Sequence, residues 1–393
     1  MTEIILSPLN DNKPEVSYFE KIDVIRFVAA MMVVIYHAYQ GWVTKWHYLK
    51  IMTVNGDQQN LNTIGKWVHT ALMNGGYGVE IFFIISGFLI TYLLLKEKAS
   101  NDGKINFFKF YARRTLRIWP LYYLIIILAP FIIEFIHQPY GPNYTANIFF
   151  YNNFDTMKNH YWVFPLAHFW SLCIEEHFYI VWPFIIAFVP NKYLLRVFAG
   201  LVLVSVIYRA YLFYNVTEPW YPLFLSTFSR FDALVIGAAT AYLHFIKPFK
   251  LSVSRTTRSF VYLTFIIAFC FDDLIVWDSF FTACFKKYFY MAIVLFAMLN
   301  FLFNEKPMFG FMNNKVFRYF GKISFGLYVY GLIVLEVCVK KIMEPNQINN
   351  LYLYWFFAIG GTILVSILSF ELFEKQFLKL KKRFEVIRIN KEG

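Results

Sequence analysis

HFWSLCIEEHFYIVWP, residues 168–183, places two adjacent carboxylates, Glu175 and Glu176, and a histidine, His177, inside a segment otherwise apolar and aromatic enough to be buried. A carboxylate near the centre of a bilayer costs about 2.5–3.5 kcal/mol on insertion scales and is seldom kept without a partner or a task. The rest of the chain is therefore read as what surrounds, partners and uses these groups. Outward from them the apolar character continues: of 393 residues, 59% are hydrophobic and only 16% are charged, and the mean hydropathy is positive. That exceeds what the core of a soluble domain of this length needs, so the sequence predicts an all-α polytopic membrane protein. The net charge of +12 does not point to nucleic acid, because the basic residues lie between apolar runs rather than on one polar face. Orientation in a lipid bilayer accounts for them. Cys173, Cys270, Cys284 and Cys338 lie in or beside apolar segments without paired spacing, which argues against disulfides and against a zinc or other metal site.

At about 20 apolar residues per span, ten spans are expected, at roughly 24–42, 76–95, 118–137, 168–189, 195–214, 222–246, 257–277, 284–303, 323–341 and 351–373. The polar start lacks the basic region and cleavage site of a secretory signal, so the first apolar run is expected to be retained. Lys and Arg gather in alternate connections: Lys13 and Lys21; Lys96 through Arg117; Lys192 and Arg196; Lys247, Lys250, Arg255 and Arg258; Lys306, Lys315, Arg318 and Lys322; and the tail through Arg388. The intervening connections are nearly bare, with Lys158 alone between the third and fourth spans. The positive-inside rule then puts both termini in the cytoplasm, which an even number of spans satisfies. The chain is expected to be one transmembrane domain over 1–393, with short cytoplasmic tails and an outer loop at about 138–167. That loop is too long and too aromatic for a simple turn, and two readings stand open: a lid over an outward-facing cavity, or aromatics resting at the interface.

Estimated from the span ends, His37 and Glu175 fall at depths within a turn of each other. Ser86 falls near mid-span, and Arg209, Arg230, Asp232 and Glu336 fall in the middle or outer half. A shared polar cavity opening outward is the economical arrangement for so many costly groups. Ser171 and Glu175, four apart, share a helix face, whereas Glu176 points about 100° away, toward a neighbouring helix and a partner such as Arg209. A lone histidine on an apolar helix is commonly a hydrogen-bonded core residue. A carboxylate at matching depth would instead make His37 a general base, by holding its tautomer and raising its basicity. Arg113, Arg114 and Arg117, in YARRTLRIWPLYY, are spaced so that Arg117 shares a face with either of the others, which suits phosphate recognition and equally suits a plain orientation signal. In GGYGVEIFFIISGFLIT, residues 75–91, Ser86 and Gly87 leave room for close helix packing or for a thin ligand.

Together these motifs resemble the membrane acyltransferase family 3, which transfers acyl groups, commonly acetyl, to sugars and other hydroxylated acceptors. The resemblance runs through nearly the whole chain in order: IDVIRFVAAMMVVIYH with Asp23, Arg26 and His37, GVEIFFIISGFLI, RRTLRIWPLYY, WSLCIEEHFY, SRFDALVIGA, ISFGLYVY and the terminal ELFEK. It implies that His37 is the central catalytic residue, that Ser171 and Glu175 complete the site, and that Arg26 and the Arg113, Arg114, Arg117 cluster hold the acyl donor. Ser86 is placed beside that donor, with Glu176, Arg209, Arg230, Asp232 and Glu336 supporting the cavity. The chain departs from the family pattern at Gly331, where many members carry a histidine, and at Glu374, Lys375, Gln376, which lack the usual proline.

The expected function is O-acyl transfer from cytoplasmic acetyl-CoA or another acyl-CoA to a hydroxyl of a carbohydrate or other acceptor at the outer side of a membrane, most simply the bacterial inner membrane. No metal is expected. His37 would take the acceptor proton, Glu175 would orient His37, and Arg230 would stabilise the oxyanion. A proton-coupled transporter relaying protons through His37, Glu175 and the buried arginines is the rival from another class. A glycan polymerase acting on lipid-linked sugars is a second rival.

Overall fold

The computed structural model describes residues 15–17, 19–46, 52–54, 57–249, 252–271, 279–304, 307, 309–386 and 388–390. The expected basic positions Lys13, Lys250 and Lys306, and residues 272–277 of the seventh expected span, lie outside the described residues. Among the described residues, eight helical runs are long and apolar enough to cross a membrane: Glu20–Lys45, Thr63–Ser100, Phe107–Phe135, Ala167–Phe188, Asn191–Asn215, Trp220–Ile246, Lys286–Phe303 and Leu351–Phe384. A ninth consists of Lys315–Lys322 and Ser324–Met343, bent by 65° at their junction. At the place of the seventh expected span the described helix Arg255–Cys270 has 16 residues, short of the about 20 a span needs.

The helices that matter for the site are α1 (Glu20–Trp46), α2 (Thr63–Met73), α3 (Gly78–Ser100) and α4 (Phe107–Phe135). After them come α5 (Tyr144–Ile148), α6 (Asn152–Asn159), α7 (Trp170–Phe188), α8 (Leu194–Asn215), α9 (Trp220–Leu225) and α10 (Thr227–Ile246). The later ones are α11 (Arg255–Cys270), α12 (Ser279–Cys284), α13 (Lys286–Phe303), α14 (Lys315–Lys322), α15 (Ser324–Cys338), α16 (Leu351–Trp355), α17 (Gly361–Ser369) and α18 (Lys375–Lys381). Widened π turns at Phe356–Gly360 and Phe370–Glu374 join α16, α17 and α18. A short parallel strand pair, Glu15–Ser17 against Arg388–Asn390, brings the segments before α1 and after α18 to one face.

One apolar core joins α1, α3, α4, α7, α10, α13 and α15. Its tightest seam is α3 on α10. A Cβ on Gly87 would fall 1.8 Å from the Leu234 carbonyl oxygen, and one on Gly237 would fall 2.0 Å from that of Ile84. Without a strong hydrophobic drive between helices in lipid, such backbone contact is what holds them. The sequence left Gly87 open between packing and ligand passage; it packs. Gly87→Val is therefore expected to destabilise the fold by about 1–3 kcal/mol or more, the range for overpacking, read as a lowered unfolding midpoint in detergent.

The connection expected on the outer side, at about 138–167, is a folded cap. Asn153 Nδ2 donates to Leu225 O and Thr227 Oγ1, both at 3.1 Å, Asn152 Nδ2 donates to Leu166 O at 3.2 Å, and the Tyr122 hydroxyl donates to Asn147 O at 2.6 Å. Buried asparagines thus tie α5 and α6 to the helix ends beneath, and His177 Nδ1 meets Thr227 Oγ1 at 2.8 Å. Under this cap α7 begins inside the protein rather than at its outer surface: His168 and Trp170 are buried.

Candidate active site

Five helices enclose one narrow cavity. Arg26 comes from α1, Val79 through Ile90 from α3, Arg114, Arg117 and Ile118 from α4, Ser171, Glu175 and Tyr179 from α7, and Ser324, Phe325 and Tyr328 from α15. Along α3 the lining covers eleven residue steps, about 16 Å at 1.5 Å per residue, yet the space is only about 80 Å³. The cavity is a slot rather than a bowl.

The fourfold spacing of Ser171, Glu175 and Tyr179 puts all three on the slot-facing side of α7. Glu175 is fully engaged: Ser86 Oγ donates to Oε1 at 2.7 Å and the Tyr179 hydroxyl donates to Oε2 at 2.9 Å. One turn outward, Tyr328 donates its proton to the carbonyl oxygen of His168. Its oxygen therefore accepts from Ser171 Oγ, 2.6 Å away.

The arginines divide. Arg114 and Arg117 line the slot with Arg26. The Arg114 guanidinium lies over the rings of Phe110 and Tyr179, at 5.9 and 6.0 Å, and its Nε is buried with no hydrogen-bond partner among the described residues. Arg26 meets Asp23 at 3.3 Å. Arg113 turns away, pairing with Glu97 at 3.1 Å and donating to Phe384 O at 2.8 Å. Lys381 of α18 lies within electrostatic reach of Arg26, Arg114 and Arg117. In the sequence the tail's basic run carries only an orientation signal; the placement of α18 is what brings Lys381 to these arginines.

The expected contact of Glu175 with His37 is not formed. Gly75 abuts Met32 and Tyr36, and Gly78 abuts Ala29 and Val33. With α3 antiparallel to α1, Ser86 and its partner Glu175 fall level with Arg26, not with His37. His37 sits eleven residues along α1 from Arg26 on the same face, about 16 Å further along the helix. Equal depth does not follow from the span ends, because α7 starts beneath the cap, with His168 and Trp170 buried. The group that does approach His37 is His168, within electrostatic reach of it and absent from the sequence-derived site. In the sequence His168 opens the same apolar stretch, 168–183, that carries Glu175 and Glu176.

The remaining charges form separate clusters rather than one shared cavity. Asp232, fully buried, pairs with Arg209 at 2.7 Å and Lys287 at 2.6 Å and accepts from the Tyr288 hydroxyl. Arg209 is thus Asp232's partner, not Glu176's. Glu176 instead faces α4 near Tyr122, with Oε1 unpartnered among the described residues. Arg230 is held by Glu80, by the Phe224 carbonyl at 2.8 Å and over the Phe224 ring at 4.5 Å. Glu336 lies toward Lys340, Glu344 and Lys45. The close α3–α10 seam leaves no room between those helices, so α10 directs Asp232 toward α8 and α13 instead. Asp232→Asn would strand Arg209 and Lys287 as buried cations, and a loss of about 3–5 kcal/mol is expected, read as a drop in the detergent unfolding midpoint.

Gly331 sits close to α1: a Cβ there would lie 3.1 Å from Val34 Cγ2, so a larger residue needs the Val34 side chain to give by a few tenths of an ångström.

A family model described as an acyltransferase domain matches residues 19–371. The chain is 26% identical over 401 aligned residues to the peptidoglycan O-acetyltransferase OatA of Listeria monocytogenes, covering 92% of this chain and 56% of that protein. It is 28% identical over 336 residues to YrhL of Bacillus subtilis strain 168, whose name assigns it provisionally to the same reaction, covering 77% of this chain and 50% of that protein. The chain thus spans about half the length of the curated relatives it matches, and no solved structure matches it. The ordered motifs, the multi-pass helical architecture and the family match agree: this chain belongs to the membrane acyltransferase family 3.

Proposed function

We propose that the protein transfers an acetyl group from acyl-coenzyme A to a hydroxyl of a cell-surface glycan, with peptidoglycan as the first acceptor to test. The observation that carries this reading is the alignment of a cationic end, a slot and a histidine. Arg26, Arg114 and Arg117 offer donors suited to phosphate oxygens, the slot admits a slender chain and excludes a sugar, and His37 stands beyond the slot on the same face of α1. The donor's phosphates rest at the arginine end while its thioester arm runs toward His37. His37 takes the proton of the acceptor hydroxyl as the oxygen attacks the thioester carbonyl. The C–S bond breaks, and the leaving thiolate takes that proton back from His37. Arg230 is committed to Glu80 and the Phe224 carbonyl, so no oxyanion role is assigned to it. The glycan acceptor is suggested by the names of the relatives.

The test is release of free thiol from acetyl-coenzyme A by purified protein, with and without soluble peptidoglycan fragments. Acceptor-dependent thiol release with O-acetyl product is the expected result. Absence of any coenzyme A affinity removes the donor assignment.

A further inference from the structure

His168 belongs to the short 3₁₀ turn Ala167–Phe169 that opens α7, and its side chain is buried. Its Nε2 lies 3.0 Å from the carbonyl oxygen of Val329. A carbonyl only accepts, so Nε2 carries the hydrogen of the neutral ring and Nδ1 is left as a lone pair. That Nδ1 is buried with no hydrogen-bond partner among the described residues. Buried acceptors are seldom left so without a reason.

Within electrostatic reach of His168 stands His37, whose ring makes no hydrogen bond among the described residues. Its ring is only half-buried, and the contact that holds it is an aromatic one with Tyr36, centroids 4.8 Å apart. The register of α15 sets the surroundings of the two histidines side by side, and they lie within electrostatic reach of each other. Val329 anchors His168, and Gly331, two residues on, abuts Val34, one turn of α1 short of His37. A neutral imidazole acting as a base needs its N–H held so that the other nitrogen faces the substrate. Glu175 cannot hold it, being bonded to Ser86 and Tyr179 at the level of Arg26.

We infer that His168 Nδ1 accepts a hydrogen bond from the ring N–H of His37 and so fixes the tautomer in which the other nitrogen of His37 faces the acceptor hydroxyl. The inference rests on His37 being the base of the proposed reaction. The two rings are not yet within hydrogen-bond distance, and such contacts commonly tighten only in the Michaelis complex. During transfer the hydroxyl proton passes to His37 and then to the departing thiolate. His168 stays neutral throughout, keeping its own hydrogen on Val329, so it is a positioning residue.

The experiment compares full-length wild type, His37→Gln, His168→Gln and His168→Asn, in detergent, with acetyl-coenzyme A and soluble peptidoglycan fragments. Glutamine keeps an amide N–H toward Val329 but offers nothing at the Nδ1 position. Asparagine loses the Val329 bond but returns an oxygen acceptor near Nδ1. The expected result is a fall of about 100-fold in kcat for His168→Gln, of the size a positioned base contributes, with KM for acetyl-coenzyme A unchanged and with His168→Asn the faster of the two. A purely architectural role gives the opposite order, and that order, or a His168→Gln enzyme equal to wild type, overturns the inference. If both variants misfold, nitrogen-15 histidine spectra of the wild type decide: His168 protonated at Nδ1 overturns it, and a lone pair there supports it. A His37→Gln protein that still transfers acetyl removes the base assignment itself. Loss of transfer in His37→Gln beside normal rates in His168→Gln removes only the present inference.

Discussion

His37→Ala is expected to bind coenzyme A as the wild type does and to transfer acetyl at least about 100-fold more slowly, because a positioned general base contributes on the order of 10²–10⁴ to a rate. The separation of binding from turnover follows from geometry. His37 stands about 16 Å along α1 from Arg26 and is not among the residues lining the slot, so its loss leaves the cationic end intact. Calorimetric titration with coenzyme A, paired with single-turnover transfer from acetyl-coenzyme A to peptidoglycan fragments, reads both quantities. Equal transfer rates would remove His37 from the chemistry and leave it a half-buried core histidine.

The second large effect is expected at the other end of the slot. Arg114→Ala with Arg117→Ala removes two slot-lining cations. Each charge-assisted hydrogen bond to phosphate is worth about 1.5–3 kcal/mol, so the pair corresponds to roughly 10²- to 10⁴-fold in the dissociation constant for coenzyme A. Arg113→Ala is the informative control. Its guanidinium is spent on Glu97 and the Phe384 carbonyl, so that variant should lower the unfolding midpoint and leave coenzyme A affinity nearly unchanged. If all three arginines contribute equally to affinity, the slot is not where the phosphates rest. Sequence spacing alone treats Arg113 and Arg114 as equivalent partners of Arg117, and only the packing of α4 against α7 and the chain end separates them.

That separation marks the boundary of what could be read from the sequence. The helical, multi-pass character and the positions of most spans were legible, because apolar length answers directly to bilayer thickness and unpaired backbone groups are not tolerated in lipid. The alignment of Ser171, Glu175 and Tyr179 on one face was equally legible, since helical periodicity is local. The partner of each charge was not. Arg209 pairs with Asp232 and Lys287 lies opposite it, Arg230 takes Glu80, and Glu175 takes Ser86 and Tyr179 rather than His37. Such partners depend on the relative heights of helices far apart in the chain. Those heights are set by the Gly87 and Gly237 contacts, by the Gly75 and Gly78 contacts with α1, and by a cap that buries the start of α7. The sequence by itself determined which residues carry charge into the membrane and which faces they share. The tertiary structure decided which of them meet, because helix height and rotation are properties of packed pairs and no single helix encodes them.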